Sequence, residues 1–522
     1  MRCAIQRILF PITVVLLLLF GPFITFGAEP PLKRLDTLSV GLAESGELTT
    51  LDPARAVTAA PIIVTWHLYT RLLDIRTDGT LAPMLATQWT HSQNLRQWTF
   101  KLRPDAFFHT NNGKLAREIT SKDVKFSIER AVKLPGLGRS LLAGLVRGLV
   151  EFIEGRSPHI SGIIATEGKL VINLTKPFAF LPERLAASPF GIVPMGTPDD
   201  PKSPPVGSGP YFLVSWKLAS NRVDLSLNKH YWAIGELAPR HLIFYTFNNT
   251  AAAVQELKAN TIQWLGGGAS ALDLLRGNNP GIRVHADLGL DIKLLVINQT
   301  KTLLDRRQRQ ILGQALNMAT DRSKLVDFFG GGRKIAGPVP LPYWDSYGYA
   351  FDLEKAQKLL SFLPRERRKL HVLVQPGTDN KQLAQLLATQ WETAGVSVTL
   401  EQGQVDFVSR VVGGKYQTAL VYYGPFLPVP EQYLWLYEAE ARPAPNVEGY
   451  KSASFEKALI GYLTTPPGVP GEHHLHQAIQ ILLEDAPVVW LVQTPRIIAT
   501  RLTVRVPFIA GMPVFWACSA RR

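Results

Sequence analysis

The sequence predicts an α/β protein of two or three domains. Three observations carry this. The chain has 522 residues, more than a single hydrophobic core organises. Its make-up is 46% hydrophobic, 19% charged and 9% aromatic, a globular balance without disordered or collagen-like bias. Stretches with the two-residue period of strands alternate along it with stretches of helical period, the order that stacks helices on sheets.

Residues 37–42 read as a strand, followed by a turn-rich stretch to Pro53. Residues 62–74 carry helical apolar spacing, and 98–102 alternate as a strand. Residues 120–132 read as a helix, with Thr120 or Ser121 as N-cap and Asp123 in the first turn. Residues 162–174 resemble a hairpin around Glu167-Gly168, and 194–210 are dense in Pro, Gly, Ser and Asp, which marks a loop. Residues 251–259 read as a helix and 294–298 as a short buried strand. A long helix is expected over 306–329, broken near Asp321, then a Pro- and aromatic-rich loop over 336–349. Helix 353–362, strand 370–374, helix 380–393 and strand 396–400 continue the alternation, and 486–492 and 504–508 supply late strands. Gly266-Gly267-Gly268 and Gly330-Gly331-Gly332 read as helix-ending turns.

The first residues read as an export signal. Arg2 and Arg7 precede an apolar run from Ile8 to Phe20, Gly21-Pro22 ends it, and Gly27 or Ala28 offers a cleavage site. An uncleaved membrane anchor is the alternative. Cleavage would remove Cys3, leaving Cys518 as the only thiol, and would take the net charge from +14 to +12. The basic residues are scattered, and neither a nucleic-acid partner nor a groove-reading helix is indicated.

Enzyme signatures are missing. There is no HExxH zinc helix, no Gly-x-Ser-x-Gly elbow and no complete phosphate loop. The cluster His473-His474-Leu475-His476 lacks a full ligand set and reads as a solvated helix start. No cofactor and no metal are expected. What the chain offers instead is aromatics beside prolines: Tyr343-Trp344 with Tyr347, and Tyr422-Tyr423-Gly424-Pro425-Phe426 after a strand at 418–421. Aromatics on rigid loops bury much ligand area at small entropy cost.

Several blocks then fall in a familiar order. They are Leu51-Asp52-Pro53, Leu68-Tyr69-Thr70-Arg71-Leu72-Leu73, Asp78-Gly79-Thr80-Leu81-Ala82-Pro83 and Leu85-Ala86-x-x-Trp89. Trp98 to Arg103, Asp123 to Arg130 and Gly207-Ser208-Gly209-Pro210-Tyr211 follow, with Asn228 and Tyr231-Trp232, Gln314 to Arg322 and Glu484 to Pro487. From about Thr37 to Val506 the chain resembles the bacterial extracellular solute-binding proteins of family 5, the peptide- and nickel-binding components of ABC importers. The resemblance implies a two-lobed fold of the type II periplasmic-binding kind with an extra subdomain on the first lobe. Lobe I would comprise 29–60, 190–285 and 488–522, the subdomain 61–189 and lobe II 286–487. The Gly-Pro turn at 207–210 would be architectural.

The resemblance further implies a periplasmic receptor, expected to be a monomer, that closes about a hinge on a peptide or peptide-like solute and delivers it to the permease of an ABC importer. The alternatives are a non-peptide solute (opine, glycoside or metal chelate) and a ligand-presenting signalling receptor or chaperone. A hydrolase on the same scaffold would need a nucleophile–base pair, and none is visible. The sequence also departs from the family. Peptide-binding members often carry an Asp in the loop aligned with 423–430, where this chain has Gly424-Pro425-Phe426-Leu427-Pro428, and a buried ammonium without a partner is costly. The usual Arg before the Gln314-Ala315-Leu316 core is replaced by Gly313. The ligand-binding candidates are Tyr422, Tyr423 and Phe426 for stacking, Tyr343 and Trp344 at the cleft, and Asp52 and Asn298 as polar groups. Tyr423→Ala is expected to weaken binding without unfolding the protein.

Overall fold

The computed structural model describes residues 34–518, except 77–78, 111–112, 201–202, 268–269, 276, 278, 302, 341–347, 426, 443, 467–470, 502–505 and 510–511. The export signal lies outside these residues. Local signals set many elements. Thr120 opens helix Ser121–Lys133 with a capping box in which Asp123 accepts from Thr120 N at 2.8 Å. Asp321 caps Arg322–Phe328, so the run over 306–329 divides into that helix and Arg306–Met318. Gly313 has a steric reason. A Cβ there would lie well inside 3.0 Å of Ala486 O, so the helix rests directly on backbone.

One eleven-stranded sheet organises the molecule, with the short strand Arg333–Lys334 pairing off its main path with Val488–Thr500. Its first half runs Tyr211–Lys217, Arg222–Leu227, His241–Phe247, Thr37–Ala43 and Trp264–Gly267. Its second half runs Thr418–Tyr423, Lys369–Val374 and Ser397–Gln402. Two long strands, Arg283–Ile297 and Val488–Thr500, stand between the halves and pair antiparallel along their length. Residues 497–500 pair with Trp264–Gly267, and residues 292–297 pair with Thr418–Tyr423. Midway the register of the long pair breaks between Leu288 and Ile292, opposite Pro495 and Gln493. Pro495 has no N–H for the ladder. The Gln493 side chain donates to Gly289 O at 2.7 Å instead.

Alternation gives the second half two buried faces. Leu295, Ile297, Leu420, Val489 and Leu491 pack with Leu312, Leu316, Leu360, Leu387 and Trp391 of the helices on one side. Leu294, Val296, Val488 and Trp490 belong to a larger core with Phe407, Tyr437 and Phe455 on the other. The Trp490 indole donates to Tyr437 Oη at 2.9 Å. A separate four-stranded sheet, in the order Ala86–His91, Gln97–Leu102, Lys169–Asn173, Ile163–Thr166, packs with helix Ser121–Lys133.

The Gly-Pro turn at 207–210 lies on the end of helix Ala59–Leu68. Gly209 N donates to Leu68 O at 2.9 Å, and a Cβ at Gly207 or Gly209 would meet the carbonyls of Leu68 or His67 well inside 3.0 Å. Thr70 Oγ1 donates to Ser208 O and Asn228 Nδ2 to Gly209 O, at 2.9 and 3.1 Å. Tyr231 and Trp232 stack at 4.2 Å, with the Arg103 guanidinium 4.1 Å from the Trp232 ring centre. The turn and its aromatics are therefore architecture. Nearby, Phe515 and Trp516 pack on buried His67, and the adjoining Cys518 is 1% exposed.

The structure corrects five expectations. The helix over 62–74 ends at Leu68, because Tyr69 turns to extended backbone and its hydroxyl sits 2.9 Å from both Leu51 O and Pro205 O; Leu73–Ile75 is a strand. The strand over 294–298 is the end of a 15-residue strand whose outer half is solvated and therefore lacks an apolar run. The late strand at 486–492 extends to Thr500. Gly266 and Gly267 pair with Ile498 and Ile497 rather than ending a helix. Tyr422 and Tyr423 close the strand Thr418–Tyr423 rather than starting a loop, because both pair with the long strand, at Lys293 and Ile292.

Candidate functional site

As neighbours on a strand, Tyr422 and Tyr423 point to opposite faces. Tyr422 sits over a polar cluster at the midpoint of the long strands. Its ring is 46% exposed, while its hydroxyl is tucked in, 3.3 Å from Thr494 Oγ1 and hydrogen-bonded to Asp291. Burial, then Asp291, raises the phenol's pKa. The Lys293 ammonium lies 4.6 Å from the Tyr422 ring centre and donates to Asn380 Oδ1 at 2.8 Å. Burial lowers the Lys293 pKa to about 8 against the pull of Asp291 and Asp379.

Asp291 is the centre of this cluster. Burial raises its carboxyl above the usual range, opposed by the Tyr422 hydroxyl, Arg496 and Lys293. Arg496 is lowered by the same burial, and its guanidinium lies 4.8 Å from the Phe508 ring centre. Gly424 completes the arrangement, because a Cβ there would overlap Asp291 Oδ1. The register break places Asp291 here, since it lies within the irregular step between Leu288 and Ile292. Asp379, in the first turn of helix Thr378–Thr393, has its pKa raised by burial and by Glu44 and Asp273 from the other half of the sheet. The cluster thus holds two cations, a shielded acid and a phenol, beside an acidic edge.

On the opposite face Tyr423 lines a cavity of about 300 Å³ whose lining also includes Tyr422. Leu294, Val296, Phe407, Val411 and Tyr437 supply much of its apolar wall. The Tyr423 hydroxyl donates to Gln432 O at 2.8 Å and its ring packs on the large core. The cavity lies by the C-terminal ends of the parallel strands Lys369–Val374 and Thr418–Tyr423. In α/β sheets ligands bind outside those ends.

The other predicted residues go elsewhere. Asp52 is 1% exposed, accepts from Arg130 at 2.7 and 2.5 Å and caps Ala54 N at 3.0 Å. Asn298 donates to Gly414 O and Tyr416 O and accepts from Thr300 N and Oγ1. Both are committed to internal bonds, so neither is offered to a ligand. Phe426, Tyr343 and Trp344 lie outside the described residues. No group of three metal-ligating side chains occurs among the described residues, and none of their helices is long and apolar enough to cross a membrane. Sequence reasoning missed Asp291, Lys293 and Arg496. A charged residue every second position in Asp291-Ile292-Lys293 was the available signal, since an alternating charge marks the open face of a strand.

Comparison with known proteins gives a consistent picture. A family model described as bacterial extracellular solute-binding proteins, family 5 Middle, matches residues 80–444. The chain is 26% identical over 470 residues to di/tripeptide-binding protein 1 of Pseudomonas aeruginosa (strain UCBPP-PA14), covering 84% of this chain and 85% of that one. It is 25% identical over 496 residues to the probable D,D-dipeptide-binding periplasmic protein DdpA of Escherichia coli (strain K12), covering 88% of each. The periplasmic binding protein DppA of Helicobacter pylori, solved with the peptide STSA, superposes with a TM-score of 0.74 at 22% identity, over 94% of this chain and 99% of that one.

Proposed function

The chain belongs to the bacterial extracellular solute-binding proteins of family 5, and from that premise we propose that it is a periplasmic receptor for short peptides or peptide-like solutes with a free amino end. Its fold is the two-lobed type II fold of periplasmic binding proteins. In this reading the two long strands are the hinge, with 286–487 as lobe II and 61–189 as a subdomain on lobe I. A solute that binds the closed form better shifts the population towards it, and the closed form is delivered to the permease of an ABC importer. The receptor works as a monomer after removal of its leader near Gly27 or Ala28, without catalysis.

The observation that carries the solute class is the carboxylate of Asp291 beside Gly424. The loop over 423–430 has no acid, and Asp291 brings one to its first residues from the neighbouring strand. A ligand ammonium at Asp291 adds a direct pair to a carboxyl that burial raises despite Tyr422, Arg496 and Lys293. Lys293 and Arg496 supply cations for the other end of a zwitterion, and the open face of Tyr422 supplies stacking.

Titration calorimetry with Ala-Ala-Ala and its N-acetyl form tests this. The free tripeptide is expected to bind at least tenfold tighter than the acetylated one, and Asp291→Asn is expected to erase the difference. Equal affinity for both forms in the wild type would remove the ammonium-binding role. Native mass spectrometry of the exported protein, revealing a non-peptide mass released on denaturation, would replace the solute class.

A further inference from the structure

Glu448 is among the residues that line the Tyr423 cavity. It is 1% exposed, and its Oε1 has no hydrogen-bond partner among the described residues. The surrounding wall is apolar: Leu294, Val296, Val411, Tyr437, Val447 and Val488. A buried carboxyl with an unsatisfied oxygen is a standing cost. A donor that enters the cavity and bonds to it removes that cost.

We propose that this cavity is a side-chain subsite of the solute site, selecting a ligand group with an apolar stem and a terminal amine that pairs with Glu448. The inference rests on the reading that the cavity belongs to the solute-binding site. Size supports it. A cavity of about 300 Å³ holds roughly ten waters at about 30 Å³ each, so a stem of several carbons with a terminal nitrogen fits. The acid sets the preference at the tip. An acidic ligand group would bring a second carboxylate to Glu448, and a purely apolar one would leave Oε1 unsatisfied.

The electrostatics sharpen this. Burial raises the Glu448 carboxyl to about 8, its own backbone N–H and then Arg442 opposing. The titratable groups that feel it are the exposed Arg442 and the buried phenols of Tyr416 and Tyr437. In the empty cavity Glu448 is therefore mostly protonated at neutral pH. An incoming ammonium displaces that proton, so its affinity falls about tenfold for each pH unit below the Glu448 pKa.

The test uses the full mature protein, wild type and Glu448→Gln, with tripeptides of alanine carrying one lysine, norleucine or glutamate at each position in turn. The expected result is that one lysine peptide binds at least tenfold tighter than its norleucine counterpart. Its affinity should rise from pH 6 to 8, and Glu448→Gln should lose both effects while still binding the norleucine peptide. If peptides bind with no lysine preference, the subsite is refuted and the peptide receptor stands. If no peptide binds, the peptide reading fails, and phenethylamine alone decides the cavity. Binding of phenethylamine that is lost in Glu448→Gln upholds the amine pocket, and no binding overturns it. If Glu448→Gln fails to fold, the wild-type pH profile decides, because a flat profile from pH 6 to 8 excludes Glu448 as the partner.

Discussion

Gly424→Ala is the most direct probe of how the chain replaces the missing acid of the 423–430 loop. Among the described residues a Cβ at residue 424 would meet only Asp291: the nearest heavy atoms are its Oδ1, well inside 3.0 Å, and its Cγ at 3.6 Å. A carboxylate tip can rotate away where a backbone atom cannot. The fold should therefore yield cheaply, by about 1 kcal/mol, at the low end of overpacking costs. Binding should yield more. Oδ1 must retreat by about 1 Å to reach ordinary van der Waals contact, and a charge-assisted hydrogen bond to a ligand ammonium is worth about 1.5–3 kcal/mol. Ala-Ala-Ala affinity should fall about tenfold to a hundredfold, with N-acetyl-Ala-Ala-Ala unaffected. In an Asp291→Ala background there is no carboxylate to displace, so Gly424→Ala should cost nothing further. Calorimetry gives the affinities and urea unfolding the stabilities. Losses that add in the double variant, or a Gly424→Ala protein that binds like wild type, would refute the coupling.

The two tyrosines should separate cleanly. Tyr422→Ala is expected to lower peptide affinity several-fold and leave the melting temperature nearly unchanged, whereas Tyr423→Ala removes a packed core ring and should cost about 3–5 kcal/mol in urea unfolding. Gly207→Ala drives a Cβ into Leu68 O, a backbone atom that cannot rotate away, and is expected to cost about 1–3 kcal/mol by the same assay. Glu183 is raised to about 8, mainly by burial, and its Oε2 has no partner among the described residues. The native state then holds a proton that the unfolded chain releases near pH 4.5, so stability falls as pH rises from there to about 8. Glu183→Gln should flatten that slope in urea midpoints measured at pH 5, 6.5 and 8; an unchanged slope would remove Glu183 from the account.

Elements whose signals are local were legible. The Thr120 cap, the Asp321 break and the hairpin around Glu167-Gly168 all follow from a few adjacent residues. The long strands were half-legible, because a strand reads as apolar only where both faces are covered. Ile292–Ile297 is buried throughout, while Arg283–Leu288 is largely open. The site was legible at Tyr422 alone among its polar cluster. Asp291 earns its place from a register shift and from the absent side chain of residue 424, two facts that lie over 130 positions apart in the chain. Glu448 sits between Val447 and Gly449 in a loop, where an acid reads as solvated until the fold closes over it. Asp52 and Asn298 misled for the converse reason, since a turn-forming polar residue and a ligand-facing one look alike before their partners are known.

The burial of Cys518 has a practical side. Its thiol is 1% exposed and raised to about 12 by burial, so it should ignore maleimide reagents while the protein stays folded. If the proposed leader is removed and Cys3 with it, the protein offers a thiol-silent background. Cysteines introduced at Val214, in the first half of the sheet, and at Val405, just after the strand Ser397–Gln402 of the second, both exposed, would take a donor and an acceptor dye without first removing any natural residue. Energy transfer between them would then test, molecule by molecule, whether the two halves close on a solute as proposed.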